Sequence, residues 1–158
     1  MRIFDRRGRA MSEETQDMSL RDLRARDIMV TKPLAFKPER RLLDAVRVLV
    51  DQRIPGAPVV DDHGNLVGVL TEREFLQAVI VAGYHGEGGG RVADHMNRNV
   101  QTVEVDASLF EIAMLFVATS FRWFPVVDEN RLVGVVARRE VLRAIIDGFG
   151  RRQSGVRG

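Results

Sequence analysis

Residues 65–78 read NLVGVLTEREFLQA, and residues 131–144 read RLVGVVARREVLRA. Each stretch is a short apolar run that is followed at once by a helical pattern. Gly68, Thr71 and Glu74 of the first stretch align with residues of the second stretch that lie 66 positions later. Because two such similar stretches occur in one chain, the sequence contains a tandem repeat.

The other elements of each repeat are predicted from turn residues and hydrophobic spacing. Apolar residues at three- and four-residue intervals predict helices, and short Val-rich runs opened by a proline predict strands. The predicted elements are an extended piece at 33–36 and 100–103, a helix at 41–52 and 108–118, strands at 57–61, 66–71, 124–128 and 132–137, and a closing helix at 72–82 and 138–149. Each repeat therefore follows the order strand, helix, strand, strand, helix.

This order predicts an α/β (α+β) fold. A repeat of about 55 to 60 residues is marginally stable alone, so we expect two βαββα repeats packed sheet to sheet with pseudo-twofold symmetry and a cleft on each side of the axis. A short helix over 19–29 is predicted to lead into repeat 1. The predicted divisions are a flexible Arg-rich tail at 1–18, repeat 1 at 19–83, a Gly-rich linker at 84–90, repeat 2 at 91–149 and a basic tail at 150–158.

The positive charge of the chain is concentrated at its ends. The formal net charge is only +2 although the pI is about 9.6, because nearly all the basic residues are arginine. Residues 1–26 hold seven arginines against five acids, and residues 151–158 hold three arginines and no acid. Such tails are usually solvated. We therefore do not expect nucleic acid as a partner, although binding through these tails remains a minor hypothesis.

Several classes of protein are excluded by what the sequence lacks. It has no cysteine, which excludes disulfides and thiolate metal sites and is compatible with the cytoplasm. No apolar run approaches the length of a membrane-spanning helix, and no secretory signal follows the basic start. His63, His85 and His95 lack metal-ligand spacing, and no nucleophile, base and electrophile come together. We expect a cytoplasmic protein without catalytic, metal-binding or membrane-spanning residues.

Three motifs recur in the same order in both repeats. They are Asp-x-Met at 27–29 and 94–96, Pro-Val-Val-Asp at 58–61 and 125–128, and Gly-Val followed five residues later by Glu at 68–74 and 134–140. In this combination the chain resembles a pair of cystathionine beta-synthase (CBS) domains, also called a Bateman module, from about residue 26 to residue 148.

The resemblance implies regulation rather than catalysis. Such modules bind adenosine-containing ligands in their clefts, so AMP, ADP, ATP and S-adenosylmethionine are the expected ligands, and no cofactor is required. The resemblance also implies a disc-shaped homodimer and a regulated enzyme or transporter that responds in trans.

The turn from strand to helix is suited to a nucleotide. A helix N-terminus presents unpaired N–H groups and a partial positive charge to a phosphate, and Thr71 adds a hydroxyl there. Glu74 stands where the family has an Asp that accepts the ribose hydroxyls. The backbone at and just before the strand prolines would face the adenine edge. These positions are Ala57 and Pro58 in repeat 1 and Phe124 in repeat 2.

Both repeats depart from the family pattern at this turn. Glu74 and Glu140 replace the usual Asp, which lengthens the side chain by a methylene. Ala137 replaces the hydroxyl residue of repeat 2, and losing a hydrogen bond to a charged phosphate costs roughly 1.5 to 3 kcal/mol. If one cleft alone binds, the sequence therefore favours the cleft at Thr71.

Arginines near the turn could compensate, because a guanidinium can bind a phosphate bidentately. Arg73 lies in the first helical turn of repeat 1, Arg138 and Arg139 lie in that of repeat 2, and Arg122 lies shortly before the proline of repeat 2. The alternative is that these are ordinary solvent-facing arginines.

Structural explanations also stand beside the other candidate roles. Glu74 and Glu140 are acids in a first helical turn, which any helix favours, and Thr71 could be an N-cap. Trp123 and Phe124 could stack on a base or simply fill the cleft. These explanations favour a second hypothesis, in which a degenerate CBS pair serves dimerisation or partner docking without a nucleotide.

Overall fold

The computed structural model describes residues 20–82 and 89–154 of the chain. Both repeats follow the predicted order of elements, and a one-turn helix precedes each. The elements are α1 (Ala25–Ile28), β1 (Val30–Thr31), α2 (Leu42–Gln52), β2 (Gly56–Val60), β3 (Leu66–Thr71), α3 (Glu72–Ala82), α4 (Val92–His95), β4 (Val103–Glu104), α5 (Leu109–Ala118), β5 (Trp123–Asp128), β6 (Arg131–Ala137) and α6 (Arg138–Ser154). The predicted tail at 1–18 and most of the predicted linker at 84–90 lie outside the described residues.

The two repeats exchange their opening segments, whereas β4 pairs with β5 of its own repeat. The strands form a four-stranded sheet of order β1-β6-β5-β4 and a two-stranded sheet of order β2-β3. In the first sheet, β1 of repeat 1 pairs antiparallel with β6 of repeat 2, and Val30 lies opposite Val135. At the equivalent place in repeat 2, Asn97 pairs with Val69 of β3 through two N–H···O bonds of 2.9 Å. Each hairpin is therefore extended by a segment of the other repeat.

The one-turn helices make the same exchange. The N–H of Ala25 in α1 donates to the carbonyl of Ala107 at 2.8 Å, and the N–H of Val92 in α4 donates to the carbonyl of Arg40 at 2.8 Å. The start of each repeat therefore docks on the segment that leads into the main helix of the other repeat. Because buried backbone groups need partners, these bonds fix the relative position of the repeats.

The Asp-x-Met motif supports this docking through both of its fixed residues. Asp27 accepts a hydrogen bond from the N–H of Arg24 at 2.8 Å, and Asp94 accepts one from the N–H of Arg91 at 2.9 Å. These carboxylates satisfy backbone groups at the start of a short helix. The methionine side chains lie over Gly134 in one case and over Gly68 in the other.

The hydrophobic core consists of one cluster per repeat, and each cluster contains residues from the opposite repeat. The first cluster is centred on buried Phe36, Leu42 and Leu70 and includes Val92 and Met96 of repeat 2. The second includes Leu20 and Ala25 of repeat 1 beside Leu109, Ile112, Phe124 and Val136. Apolar burial is the main favourable term in folding, so neither repeat completes its core alone.

The two hairpins are closed differently. In the β2–β3 hairpin, Asp61 accepts from the N–H groups of His63 and Asn65, both at 2.9 Å, and the bond from Asn65 is the main reason that the pKa of Asp61 lies below its usual range. In the β5–β6 hairpin, Glu129 and Asn130 have φ values of 48° and 68°, as a two-residue type I′ turn requires. The β2–β3 hairpin is one residue longer than the β5–β6 hairpin, because Val60 pairs with Leu66 whereas Val127 pairs with Leu132.

The tips of the hairpins also meet, because the N–H of Leu66 donates to the carbonyl of Asn130 at 2.9 Å and the N–H of Leu132 donates to that of Gly64 at 3.1 Å. These two equivalent bonds lie where the pseudo-twofold axis relates the repeats.

The helix predicted over 19–29 is wrong in its extent, because only α1 is helical within the described part of that segment. The carbonyl of Leu23 accepts from the N–H of Leu109 at 3.0 Å, so the preceding residues pair with repeat 2 instead of with one another. The strands β2 and β5 begin at Gly56 and Trp123. Each strand proline is therefore inside its strand, where the sequence predicted it at the start.

The closing helix α6 continues past its predicted end at residue 149 to Ser154. The glycines at 148 and 150 resemble a helix stop signal. Gly148 has another role, because the side chain of Leu20 packs directly against it and would collide with a Cβ atom. The first residues of the predicted tail at 150–158 are therefore helical.

Adding a Cβ atom at Gly134 should loosen the junction of the repeats. In the Gly134→Ala variant the new atom would lie 2.7 Å from Sδ of Met29 and 2.8 Å from the carbonyl oxygen of Val30. Overpacking of this kind costs about 1–3 kcal/mol, so we expect the urea midpoint to fall. Gly150→Ala is the control, since nothing lies within 4 Å of its Cβ position. Equal urea midpoints for the two variants would contradict the close packing of Met29 and Val30 over Gly134.

Candidate functional site

Two clefts lie at the junction of the repeats, and equivalent residues of the repeats line them. Each cleft combines the end of a hairpin strand in one repeat with the opening segment and the proline-containing strand of the other. The Ala137 cleft, of about 330 Å³, is lined by Val30, Pro33, Leu34, Ile54, Pro55, Gly56, Pro58, Arg122, Trp123, Val135 and Ala137. The Thr71 cleft, of about 60 Å³, is lined by Val69, Thr71, Asn97, Asn99, Val100, Gln101, Phe121, Arg122, Trp123, Phe124 and Pro125.

The two clefts differ in volume and therefore in the size of molecule that they can hold. Pockets for small molecules have volumes of about 300 to 1,000 Å³, and the Ala137 cleft lies within this range. The Thr71 cleft has room for a few water molecules, since one water occupies about 30 Å³ in the liquid. The sequence favoured the Thr71 cleft, whereas the space for a nucleoside lies in the other cleft.

The difference in volume follows from two pairs of aligned positions. Gly56 and Ile54 line the Ala137 cleft, while Trp123 and Phe121 stand at the equivalent positions of the Thr71 cleft. The rings of Phe121 and Phe124 meet edge to face with centroids 5.9 Å apart. Aromatic side chains occupy large volumes, so Trp123 takes up space that Gly56 leaves open in the equivalent cleft, while the side chain of Phe121 stays 52% exposed.

Cross-strand pairing explains why the small and large residues are distributed in this way. Gly56 lies opposite Thr71, and Trp123 lies opposite Ala137. A Cβ atom at Gly56 would lie 2.9 Å from Cγ2 of Thr71 and 2.9 Å from the carbonyl oxygen of Leu70. A residue larger than glycine would therefore meet both the Thr71 side chain and the Leu70 backbone at this position, because directly opposed side chains lie close together.

At the start of α3, Thr71 and Glu74 are bonded to each other. The Glu74 carboxylate accepts a hydrogen bond from the N–H of Thr71 at 2.8 Å and another from the Thr71 hydroxyl. The hydroxyl oxygen accepts from the N–H of Arg73 at 3.2 Å. This is the reciprocal pattern of a capped helix start, so both predicted ligand residues also have a structural role.

The predicted phosphate-binding arginines occupy different surroundings. Arg122 lines both clefts, and its carbonyl accepts from the N–H of Arg138 at 3.0 Å, which ties the start of α6 to the cleft wall. The side chains of Arg73, Arg138 and Arg139 are exposed and are not among the residues that line either cleft. Arg122 is thus the candidate that the structure brings to a cleft.

The remaining candidates divide between cleft walls and core. Pro58 lines the Ala137 cleft, and Phe124 lines the Thr71 cleft. Phe124 is also a core residue, 1% exposed, and its ring centroid lies 4.6 Å from that of Phe116. Ala57 is buried at 1% exposure, and Glu140 is half-buried near the start of α6.

Sequence reasoning missed the opening segments as cleft walls. Val30, Pro33 and Leu34 contribute to the Ala137 cleft because strand exchange carries them across to repeat 2. It also did not align Gly56 with Trp123, although the internal repeat contains that signal.

The walls of the Ala137 cleft are almost entirely apolar. Among the described residues that line it, Arg122 carries the only charge. Within residues 20–82 and 89–154 there is no group of three His, Asp or Glu side chains that could hold a metal ion. In the same part of the chain, every helix is too short or too polar to cross a membrane.

The chain belongs to the CBS domain family, whose family model matches residues 25–81 and 92–147. The resemblance seen in the three repeated motifs is thereby confirmed, as are the mixed fold and its two repeats.

Two solved structures show the same fold together with detectable sequence similarity. The chain is 31% identical to CBSX2 of Arabidopsis thaliana in complex with AMP, with a TM-score of 0.69 over 78% of this chain and 96% of that one. It is 26% identical to the CBS domain pair of protein MJ0100 in complex with 5-methylthioadenosine and S-adenosyl-L-methionine, with a TM-score of 0.65 over 78% and 99%.

Among curated proteins, the chain is 31% identical over 123 residues to the A-adding tRNA nucleotidyltransferase of Aquifex aeolicus, a match that covers 78% of this chain and 14% of that enzyme. The chain spans 14% to 42% of the length of the first curated relatives that it matches. The similarity to such enzymes is therefore confined to their CBS part.

Replacing Thr71 by Val should weaken the start of α3. The variant keeps the shape of the side chain but removes the hydroxyl that accepts from Arg73, and loss of an N-cap costs about 1 kcal/mol. We expect a lower urea midpoint for Thr71→Val than for Thr102→Val, whose residue stands at no helix start. If the two variants have the same urea midpoint, the hydroxyl of Thr71 has no capping role.

Proposed function

We propose that this chain is a regulatory module that binds an adenosine-containing nucleotide, without chemistry, in the Ala137 cleft. The observation that carries the proposal is a cleft of about 330 Å³ between two CBS repeats, at the start of a long helix. A cleft of this size can enclose a nucleoside, and the walls are formed by both repeats. A ligand there would bridge the repeats and stabilise their packing.

The chemistry of the cleft suits the two ends of a nucleotide. Its apolar walls, which include Leu34, Ile54 and Pro58, favour a planar base. The start of α6 next to Ala137 favours an anion through the positive end of its helix dipole. Arg122 supplies a positive charge on the same wall and compensates for the hydroxyl that repeat 2 lacks.

The ligands of related proteins support this class of ligand. CBSX2 was crystallised with AMP, and the CBS pair of MJ0100 with 5-methylthioadenosine and S-adenosyl-L-methionine. AMP, ADP, ATP and S-adenosylmethionine are therefore the ligands to test. The occupied module would signal to a separate enzyme or transporter.

We also propose that the module forms a homodimer through its closing helices. Leu76 and Ile80 of α3 are exposed at 59% and 79%, and Leu142 and Ile146 of α6 are exposed at 58% and 61%. These residues lie at equivalent positions of the two repeats and form matching apolar stripes. Exposed apolar patches of this kind mark interaction sites.

The alternative function is a dimerisation or docking module that binds no nucleotide. The filled Thr71 cleft and the engagement of Glu74 with Thr71 favour it. The open Ala137 cleft favours nucleotide binding, and calorimetry distinguishes the two functions.

Calorimetric titration with AMP and adenosine tests the proposal. We expect Arg122→Ala to reduce the affinity for AMP about tenfold or more, because a hydrogen bond to a charged group contributes about 1.5–3 kcal/mol. Its affinity for adenosine, which has no phosphate, should not change. Arg143→Ala, which removes an exposed arginine of α6 that lines neither cleft, is the control.

The absence of heat with AMP, ADP, ATP and S-adenosylmethionine at millimolar concentration would contradict nucleotide binding. Binding that is equally strong in Arg122→Ala and Arg143→Ala would show that Arg122 does not contact the phosphate.

Introducing a charge into an apolar stripe should dissociate the dimer. We expect Ile80→Glu and Ile146→Glu each to shift the mass measured by light scattering towards that of a monomer, because burying an unpaired carboxylate is costly. Val50→Glu, on the exposed side of α2, is the control and should stay dimeric. A monomeric wild-type chain would contradict the proposal.

A further inference from the structure

We propose that Trp123 sets the number of ligands that this chain binds. Trp123 fills the Thr71 cleft and at the same time forms one wall of the Ala137 cleft. The chain accordingly holds one adenosine-containing ligand, placed against Trp123, and carries a second, closed cleft that substitution can open. This inference rests on the proposed function and adds the residue that determines stoichiometry.

The first step is the comparison of aligned positions. Trp123 stands 67 positions after Gly56, and Phe121 stands 67 positions after Ile54. The cleft with the two aromatic residues has a volume of about 60 Å³, and the cleft with Gly56 and Ile54 has about 330 Å³. Since the surrounding strands and helices are equivalent, the side chains at these two positions account for most of the difference.

The second step is the linkage between Trp123 and Ala137. These residues are cross-strand partners, whereas Thr71 is paired with Gly56, where even a Cβ atom would lie 2.9 Å from Thr71 Cγ2. The residue pair, and not either residue alone, decides how a cleft is filled. Ala137 is therefore the residue that accommodates Trp123, which explains the missing hydroxyl of repeat 2.

The third step is that Trp123 lines both clefts. A ligand in the Ala137 cleft must contact or displace it, because it forms one wall of that cleft. Trp123 is the only tryptophan of the chain, so the tryptophan emission reports on the surroundings of this one residue. Any displacement of Trp123 by the ligand would also change the space in the Thr71 cleft.

The experiment gives repeat 2 the residues of repeat 1. AMP is titrated calorimetrically into the wild-type chain and into the double variant Phe121→Ile/Trp123→Gly, with thermal unfolding to verify that both are folded. We expect one AMP per wild-type chain, with a change in tryptophan emission, and two AMP per chain of the variant. Phe110→Ile, an exposed phenylalanine of α5, is the control and should bind one.

A reciprocal variant closes the open cleft. Gly56→Trp/Thr71→Ala transfers the residue pair of repeat 2 into repeat 1. Loss of the Thr71 methyl group removes one of the two 2.9 Å contacts of the new Cβ atom, and the contact with the carbonyl oxygen of Leu70 remains, so thermal unfolding verifies that this variant is folded. We expect its affinity for AMP to fall at least tenfold. The milder variant Trp123→Leu reduces the filling of the Thr71 cleft and serves if the glycine variant does not fold; we expect it to bind more than one AMP per chain.

The outcomes separate this inference from the proposed function. One AMP per chain in every folded variant, two in the wild type, or binding without any change in tryptophan emission would overturn the role of Trp123 and leave the proposed function intact. A wild-type chain that binds no AMP contradicts the proposed function, and in that case one AMP per chain of the double variant would still support closure by Trp123. Absence of binding by every variant would overturn both.

Discussion

The close crossing of each opening strand over the glycine of the opposite hairpin holds this fold together. Met29 and the carbonyl of Val30 lie within 3 Å of the Cβ position of Gly134, and Met96 and the carbonyl of Asn97 make the equivalent approach to Gly68. Because the crossing segments also bring Val30 and Asn97 against the end of a hairpin strand, the two clefts exist only while the repeats remain interlocked. Packing of the repeats and formation of the clefts are therefore one structural event.

The sequence predicted the elements that local signals determine. The bounds of β3 and α3 agree with the prediction, since an apolar strand passes directly into a helix at Thr71. It did not predict the exchange of β1, because a strand of two residues has no periodicity and its partner lies about a hundred residues away. It also placed the end of α6 too early, at residue 149 just before Gly150, because a glycine resembles a helix stop signal. The pairing of β1 is thus a long-range contact that no local signal contains.

Sequence reasoning placed candidate residues near the clefts but did not predict the size of either cleft. Thr71, Glu74 and Arg122 were identified from residue type and position, and the structure brings Thr71 and Arg122 to the same cleft. The comparison of Thr71 with Ala137 considered a single hydrogen bond and therefore favoured the Thr71 cleft. The volume of a cleft depends instead on which residue is the cross-strand partner of Thr71 or Ala137. That Trp123 is the partner of Ala137 can be seen only when the register of the strands is known. The sequence repeat gives this register only when the two hairpins are aligned with each other.

The two clefts at the symmetric junction of the repeats differ in how their apolar walls are covered. In the Thr71 cleft, Trp123 and Phe121 cover the walls, and the capped start of α3 satisfies its own N–H through Glu74, so this half is complete without a ligand. In the Ala137 cleft, Leu34 and Ile54 remain accessible, and burial of such surface contributes about 25 cal/mol per Å². A ligand that covers these walls would bind the folded state alone, and at a hundred times its dissociation constant it would add about 2.7 kcal/mol to stability. Under the proposed function, the cleft narrowed by Trp123 and Phe121 would hold the repeats together while the other cleft responded to ligand concentration.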